Sequence, residues 1–164
     1  MKIDYLLEEV KKVDESCIIY SQNEKQICFK ENKSVYVAEN KNQKRILGFR
    51  IDNGFIKDKN SGDRKCDFAL YTEDEVLYLI ELKGTKIQES FEQLLKTLDF
   101  FSSKYKSINK FLCRSVLSRI NTFKLGDERE KSLRKRLIKI NKYFYNEKES
   151  YRYYESRKHT DIII

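Results

Sequence analysis

Proline is absent and glycine occurs only five times in the 164 residues. No stretch therefore has the composition of a flexible linker. The single histidine is His159. With no Cys or Ser nucleophile motif beside it, it suggests no catalytic triad and reads as a solvated surface residue. The four cysteines, Cys17, Cys28, Cys66 and Cys113, include no CxxC pair, so no structural zinc site is indicated. Each lies among Ile, Phe or Leu and reads as a free, mostly buried thiol, as in a reducing compartment. No apolar run is long enough to cross a bilayer. The N-terminus Met1-Lys2-Ile3-Asp4-Tyr5 carries acid early and lacks the apolar centre of a signal peptide. These absences predict a soluble, cytoplasmic protein with no membrane partner.

Hydrophobic residues make up 40% and charged residues 37% of the chain, and eleven Tyr and ten Phe can fill a core. That length and composition fit one domain spanning residues 1–164. The net charge of +8 is unevenly spread: residues 1–100 sum to −2 and residues 101–164 to +10. A basic final third suits a polyanion partner, although a general abundance of lysine would produce it as well.

Ile3, Leu6, Leu7, Val10 and Val13 recur at helical spacing and predict a first helix over 3–13. Short β-rich runs follow at 17–20, 26–29, 34–38 and 45–51, separated by Asn, Glu and Lys clusters. Turns are predicted at 52–54 and 59–63. Two apolar runs, 66–71 and 76–83, read as strands joined through Thr72-Glu73-Asp74-Glu75. The clearest helix is 87–105, with Ile87, Phe91, Leu94, Leu95, Leu98, Phe101 and Tyr105 in one stripe and Ser90, Gln93 and Thr97 along its edge. Residues 110–117 return as a strand, so a parallel, right-handed crossover is expected. Gly126-Asp127 precedes a basic helix whose stripe is Leu133, Leu137, Ile140 and Phe144. Its other positions carry Lys131, Arg134, Lys135, Arg136, Lys139 and Lys142. The segment 151–164 receives no assignment, although Tyr151-Arg152-Tyr153-Tyr154 has the alternation of an edge strand.

The run 76–83 is the unusual one. It reads as a buried strand, yet it ends in Glu81-Leu82-Lys83-Gly84. Side chains alternate along a strand, so Glu81 and Lys83 share a side. Asp67 opens the neighbouring run. Two carboxylates and a lysine at adjoining strand ends suit a hard divalent cation and a phosphodiester. Asp67 and Glu81 are the candidate ligands, with the Leu82 carbonyl a third. Lys83 would orient water or stabilise developing charge. Gly84 would let the chain turn without obstruction. A strand-end salt bridge is the structural alternative, but burying two acids beside one lysine for stability alone is unfavourable.

Asp67, thirteen further residues, then Glu81-Leu82-Lys83 resembles the PD-(D/E)xK nuclease superfamily. More narrowly, Asp63-Arg64-Lys65-Cys66-Asp67-Phe68, Ile80-Glu81-Leu82-Lys83-Gly84 and Gln93-Leu94 are similar to small bacterial nuclease-like proteins of that superfamily. The resemblance covers about 51–97, and Lys65-Cys66 stands where the motif name would have proline before Asp67. It implies an α/β fold with a restriction-endonuclease-like core, a central mixed β-sheet flanked by helices on both faces. It implies Asp67 and Glu81 as metal ligands, Lys83 as the catalytic lysine, and Gln93 near metal or substrate. Gln93 could equally be a solvated helix position. An acid of the first helix joins the site in many relatives. Glu8 and Glu9 are the candidates here, though the helix dipole alone accounts for both.

The expected activity is Mg²⁺-dependent hydrolysis of DNA phosphodiesters, most simply endonucleolytic, with Mn²⁺ able to substitute. A homodimer is one arrangement the resemblance allows. The alternatives are a nuclease-fold module without turnover, binding nucleic acid or a partner protein, and an RNA-directed nuclease of a defence system. The basic helix would contact phosphates or serve only as a solvated face. Tyr151–Tyr154 would stack on unpaired bases or form the edge strand.

Overall fold

The computed structural model describes residues 2–57, 64–118, 127–155 and 159–164. The expected turn at 59–63, with Asp63 of the motif, and Gly126 lie outside the described residues. The described elements are α1 (Ile3–Asp14), β1 (Ile18–Tyr20), β2 (Gln26–Glu31), β3 (Ser34–Glu39), β4 (Ile46–Arg50), β5 (Phe68–Thr72) and β6 (Val76–Lys83). There follow α2 (Ile87–Lys104), β7 (Lys110–Leu117), α3 (Glu128–Asn141), the short α4 (Glu147–Ser150), β8 (Tyr151–Glu155) and β9 (Asp161–Ile162).

The fold is mixed α/β. Six strands form the central sheet in the order β1-β4-β5-β6-β7-β8. β4, β5 and β6 pair antiparallel, while β7 joins β6 in parallel after α2 and β8 continues in parallel. The expected crossover is therefore present in its pairing. The β5–β6 turn closes at Glu75, which takes a φ of 63°. The β2–β3 hairpin turns at Asn32, φ 51°, a conformation Asn tolerates better than most residues.

Helices do not cover both faces, as the sequence had suggested. One face of the sheet packs under α1, α2 and α3 through Leu6, Val10, Phe91, Leu94, Leu98, Leu133 and Leu137. The other packs under a second, three-stranded sheet, β2-β3-β9, through Ile27, Phe29, Tyr36 and Ala38. The continuous apolar runs of β5 and β6 follow from this, since every residue of β5 and all but the last of β6 are buried. Such runs show that two faces are covered, and either a helix or a sheet can do the covering.

Three local expectations also change. Phe144 leaves the α3 stripe and is 59% exposed, because the helix ends at Asn141 and Lys142 turns the chain at φ 45°. His159 is not a solvated residue: its ring stacks on Tyr154 at 4.1 Å and faces Tyr36. Tyr151–Tyr154 is an edge strand, with Tyr151 in the core and its hydroxyl donating to Ser115. The cysteines are free, with Cys17, Cys66 and Cys113 buried and Cys28 partly so. Among the described residues, no helix is long and apolar enough to cross a membrane.

Candidate active site

β5 and β6 run antiparallel with Phe68 opposite Ile80. The residue before β5 thus lies across from the residue after Ile80, which brings Asp67 beside Glu81. Strand alternation sends Leu77 and Leu79 to the helical face and Tyr78, Ile80 and Leu82 to the other. Glu81 and Lys83 continue the first set and point under α2. Gln93 descends from that helix to meet them.

Asp67 accepts a hydrogen bond from the Leu82 amide at 2.7 Å. That amide is the Leu82 group that meets Asp67. Lys83 Nζ lies 3.5 Å from Glu81 Oε1 and 3.5 Å from Glu89. It donates to Gln93 Oε1 at 2.7 Å, and the Gln93 amide donates in turn to the Lys65 carbonyl at 3.1 Å. Gln93 is buried, not solvated. Glu81 is 1% exposed, and its Oε2 has no hydrogen-bond partner. A buried carboxylate oxygen without a donor is expensive and calls for an explanation.

Burial sets the electrostatics. Desolvation pushes the Asp67 carboxyl from 3.8 up to about 6, against the opposing Leu82 amide. Glu31 and Asp52 add repulsion, while Lys83 draws the value down. Glu81 is raised well above its ordinary range, first by burial and then by Asp67, with Lys83 again opposing. Both acids are destabilised as anions where they stand, and a nearby cation would relieve both.

Several residues differ from the sequence expectation. Glu8 and Glu9 pair with Lys11 and Lys12 on the surface of their own helix, each at 3.2 Å, and neither reaches the site. A Cβ on Gly84 would meet only the Ser118 hydroxyl at 3.8 Å, an ordinary contact, so the turn does not require glycine. Sequence reasoning missed Asp52 and Glu31, the acids whose charge Asp67 feels. Asp52 follows Ile51, whose amide donates to the Asp67 carbonyl at 2.8 Å. Glu31 ends β2 and pairs with Arg50 at 3.0 Å. Thr97 was also missed as a site residue. Its hydroxyl accepts the Cys66 amide at 2.8 Å and donates to the Gln93 carbonyl at 2.7 Å. Position on one helix edge with Gln93 was the only signal, and it did not reveal what Thr97 faces.

The donor set at the site is hard oxygen, which fits Mg²⁺ better than a soft metal. Among the described residues no group of three or more His, Cys, Asp or Glu side chains is placed to hold a metal ion, and the candidate side-chain ligands are the two acids Asp67 and Glu81. A cleft of about 920 Å³ opens elsewhere, beside α1, lined by Leu7, Lys11, Gln22, Arg45 and Glu73 among others. It carries charges of both signs and none of Asp67, Glu81, Lys83 or Gln93. Compared with known proteins, the chain matches no family model, no curated protein and no solved structure.

Proposed function

We propose that this chain is a metal-dependent nuclease that hydrolyses DNA phosphodiesters, with Asp67, Glu81, Lys83 and Gln93 as its working residues. The observation that carries the proposal is the carboxylate pair of buried Glu81 and half-buried Asp67, with an unpartnered Glu81 oxygen, held beside a lysine. The helix, the three antiparallel strands, the next helix and the parallel strand that follows support a restriction-endonuclease-like core. So do the acid before β5, the Glu-Leu-Lys end of β6 and the glutamine of α2.

Asp67 and Glu81 would hold Mg²⁺, or Mn²⁺ in its place. When bound, the ion supplies Lewis-acid polarisation and a water of lowered pKa. The chain's own groups do the rest. Glu81 is buried and Asp67 half-buried, and withdrawal from water strengthens their attraction for a cation. Lys83 offers its ammonium to a phosphate oxygen where negative charge grows. Gln93 fixes the direction of that ammonium, and its own amide is anchored on the Lys65 carbonyl.

The test is cleavage of plasmid and linear DNA, with RNA alongside, in Mg²⁺, Mn²⁺ and EDTA. Cleavage is expected with either metal and none in EDTA. Lys83→Ala should stop it while nucleic-acid binding persists. A wild-type protein that cleaves no nucleic acid in either metal would leave a binding module in place of an enzyme.

A further inference from the structure

We infer that the C-terminal end of α3 and the turn after it form a docking surface for single-stranded nucleic acid. The inference deepens the nuclease proposal by naming unpaired strands as what the protein holds. Four cations of the basic helix are neutralised within the protein: Arg129 pairs with Glu92, Lys131 with Glu128, Arg134 with Glu130 and Arg136 with Asp99. Towards its end, Lys139, Lys142 and the neighbouring Lys106 have no carboxylate partner among the described residues. These three lysines and Arg136 line a cleft of about 300 Å³ with no acidic residue in its wall among the described residues.

Just beyond the cleft the chain turns at Lys142 and presents Tyr143 and Phe144 outward, 97% and 59% exposed. Lysines at a helix C-terminus are favoured by the dipole. That preference does not account for two bare aromatic rings beside them. Flat rings next to unneutralised cations suit a polyanion with exposed flat faces, which is an unpaired strand. A duplex keeps its base faces stacked and could use only the cations. A second copy of this chain would bring its own positive charge against this one. The helix is about 20 Å long at 1.5 Å per residue, and its first turn lies against α2 through Arg129 and Glu92. The patch is therefore remote from Asp67, and binding there is separable from chemistry.

The experiment measures anisotropy of a labelled single-stranded oligonucleotide in EDTA, against the same sequence as duplex. The wild type should bind the single strand more tightly. Tyr143→Ala and Phe144→Ala should each weaken it about tenfold. Lys139→Ala and Lys142→Ala should each lower the salt slope by about one. Tyr143→Phe should retain binding. Equal affinity for duplex, or an unchanged affinity in Tyr143→Ala, overturns the inference. So does Tyr143-dependent binding to phosphatidylserine vesicles with none to the oligonucleotide. Tyr143-dependent binding without cleavage in Mg²⁺ would keep this inference and remove the nuclease. Cleavage of a single strand with KM unchanged in Tyr143→Ala would do the reverse.

Discussion

Thr97 reaches across 31 residues to the Cys66 amide, and through it holds the main chain just ahead of Asp67. Replacing its hydroxyl by a methyl strands a buried N–H, which costs about 1–3 kcal/mol. Thr97→Val is therefore expected to lower the urea midpoint and the affinity for Mn²⁺, while Thr97→Ser retains both. Equal behaviour of Val and Ser at this position would remove the clamp. Asp67 carries the opposite kind of expectation. Its folded carboxyl titrates near 6 against an ordinary 3.8. For an acid raised on folding, the favourable contribution is complete below the unfolded value and is lost as pH rises through the folded one. Asp67→Asn should accordingly stabilise the metal-free protein at pH 7.5, by on the order of 2 kcal/mol, and not at pH 3.5. An unchanged or lower melting temperature at pH 7.5 would contradict the burial penalty. The Glu-Leu-Lys residues were legible because charge at the end of an apolar strand violates a simple pattern. Thr97 violated nothing, and only its partner gives it meaning.

At the scale of elements, the short strand β9 is anchored through Asp161, which pairs with the buried Arg114 and, at 3.5 Å, with Arg152. Arg114 is the largest fully buried side chain, on the face of β7 turned to the second sheet. Its Nε donates to Asp161, which also accepts from the Tyr36 hydroxyl at 2.9 Å. A pair this deep contributes little by itself, but losing one partner leaves an uncompensated charge. Asp161→Ala should destabilise the fold by about 3–5 kcal/mol in urea unfolding, with the exchange of β3 amides accelerated. A loss under 1 kcal/mol would mean that the Cys113 and Glu149 carbonyls, to which Arg114 already donates, satisfy it without the carboxylate. α1, α2 and β7 were legible from periodicity within a residue or two. β9 was not, because two residues carry no period, and its pairing with Ala38 and Glu39 spans the chain. Phe144 shows the reverse limit: it stands in helical register, yet the helix stops before it.

At the scale of the molecule, the central sheet is enclosed on one side by helices and on the other by a sheet, and the acids sit at one rim of that dry interior. The raised Asp67 carboxyl makes the metal-free protein less stable as pH climbs from about 4 through about 6, and the Glu81 carboxyl, raised by burial and by Asp67, acts in the same direction. Mg²⁺ should reverse that loss, by about 2.7 kcal/mol at a hundredfold excess over Kd. A melting temperature at pH 7.5 that is the same in EDTA, Mg²⁺ and Mn²⁺ would exclude a metal between these residues. The amino-acid order alone determined the longer helices and the strands up to β7, and the face shared by Glu81 and Lys83, because each follows from local pattern and the alternation of side chains. Only the tertiary structure decided which layer covers each face, that Asp67 meets Glu81 under α2 with one Glu81 oxygen left unpartnered, and where the basic surface stays unneutralised. Those outcomes depend on contacts between residues far apart in the chain, and a local period carries no record of them.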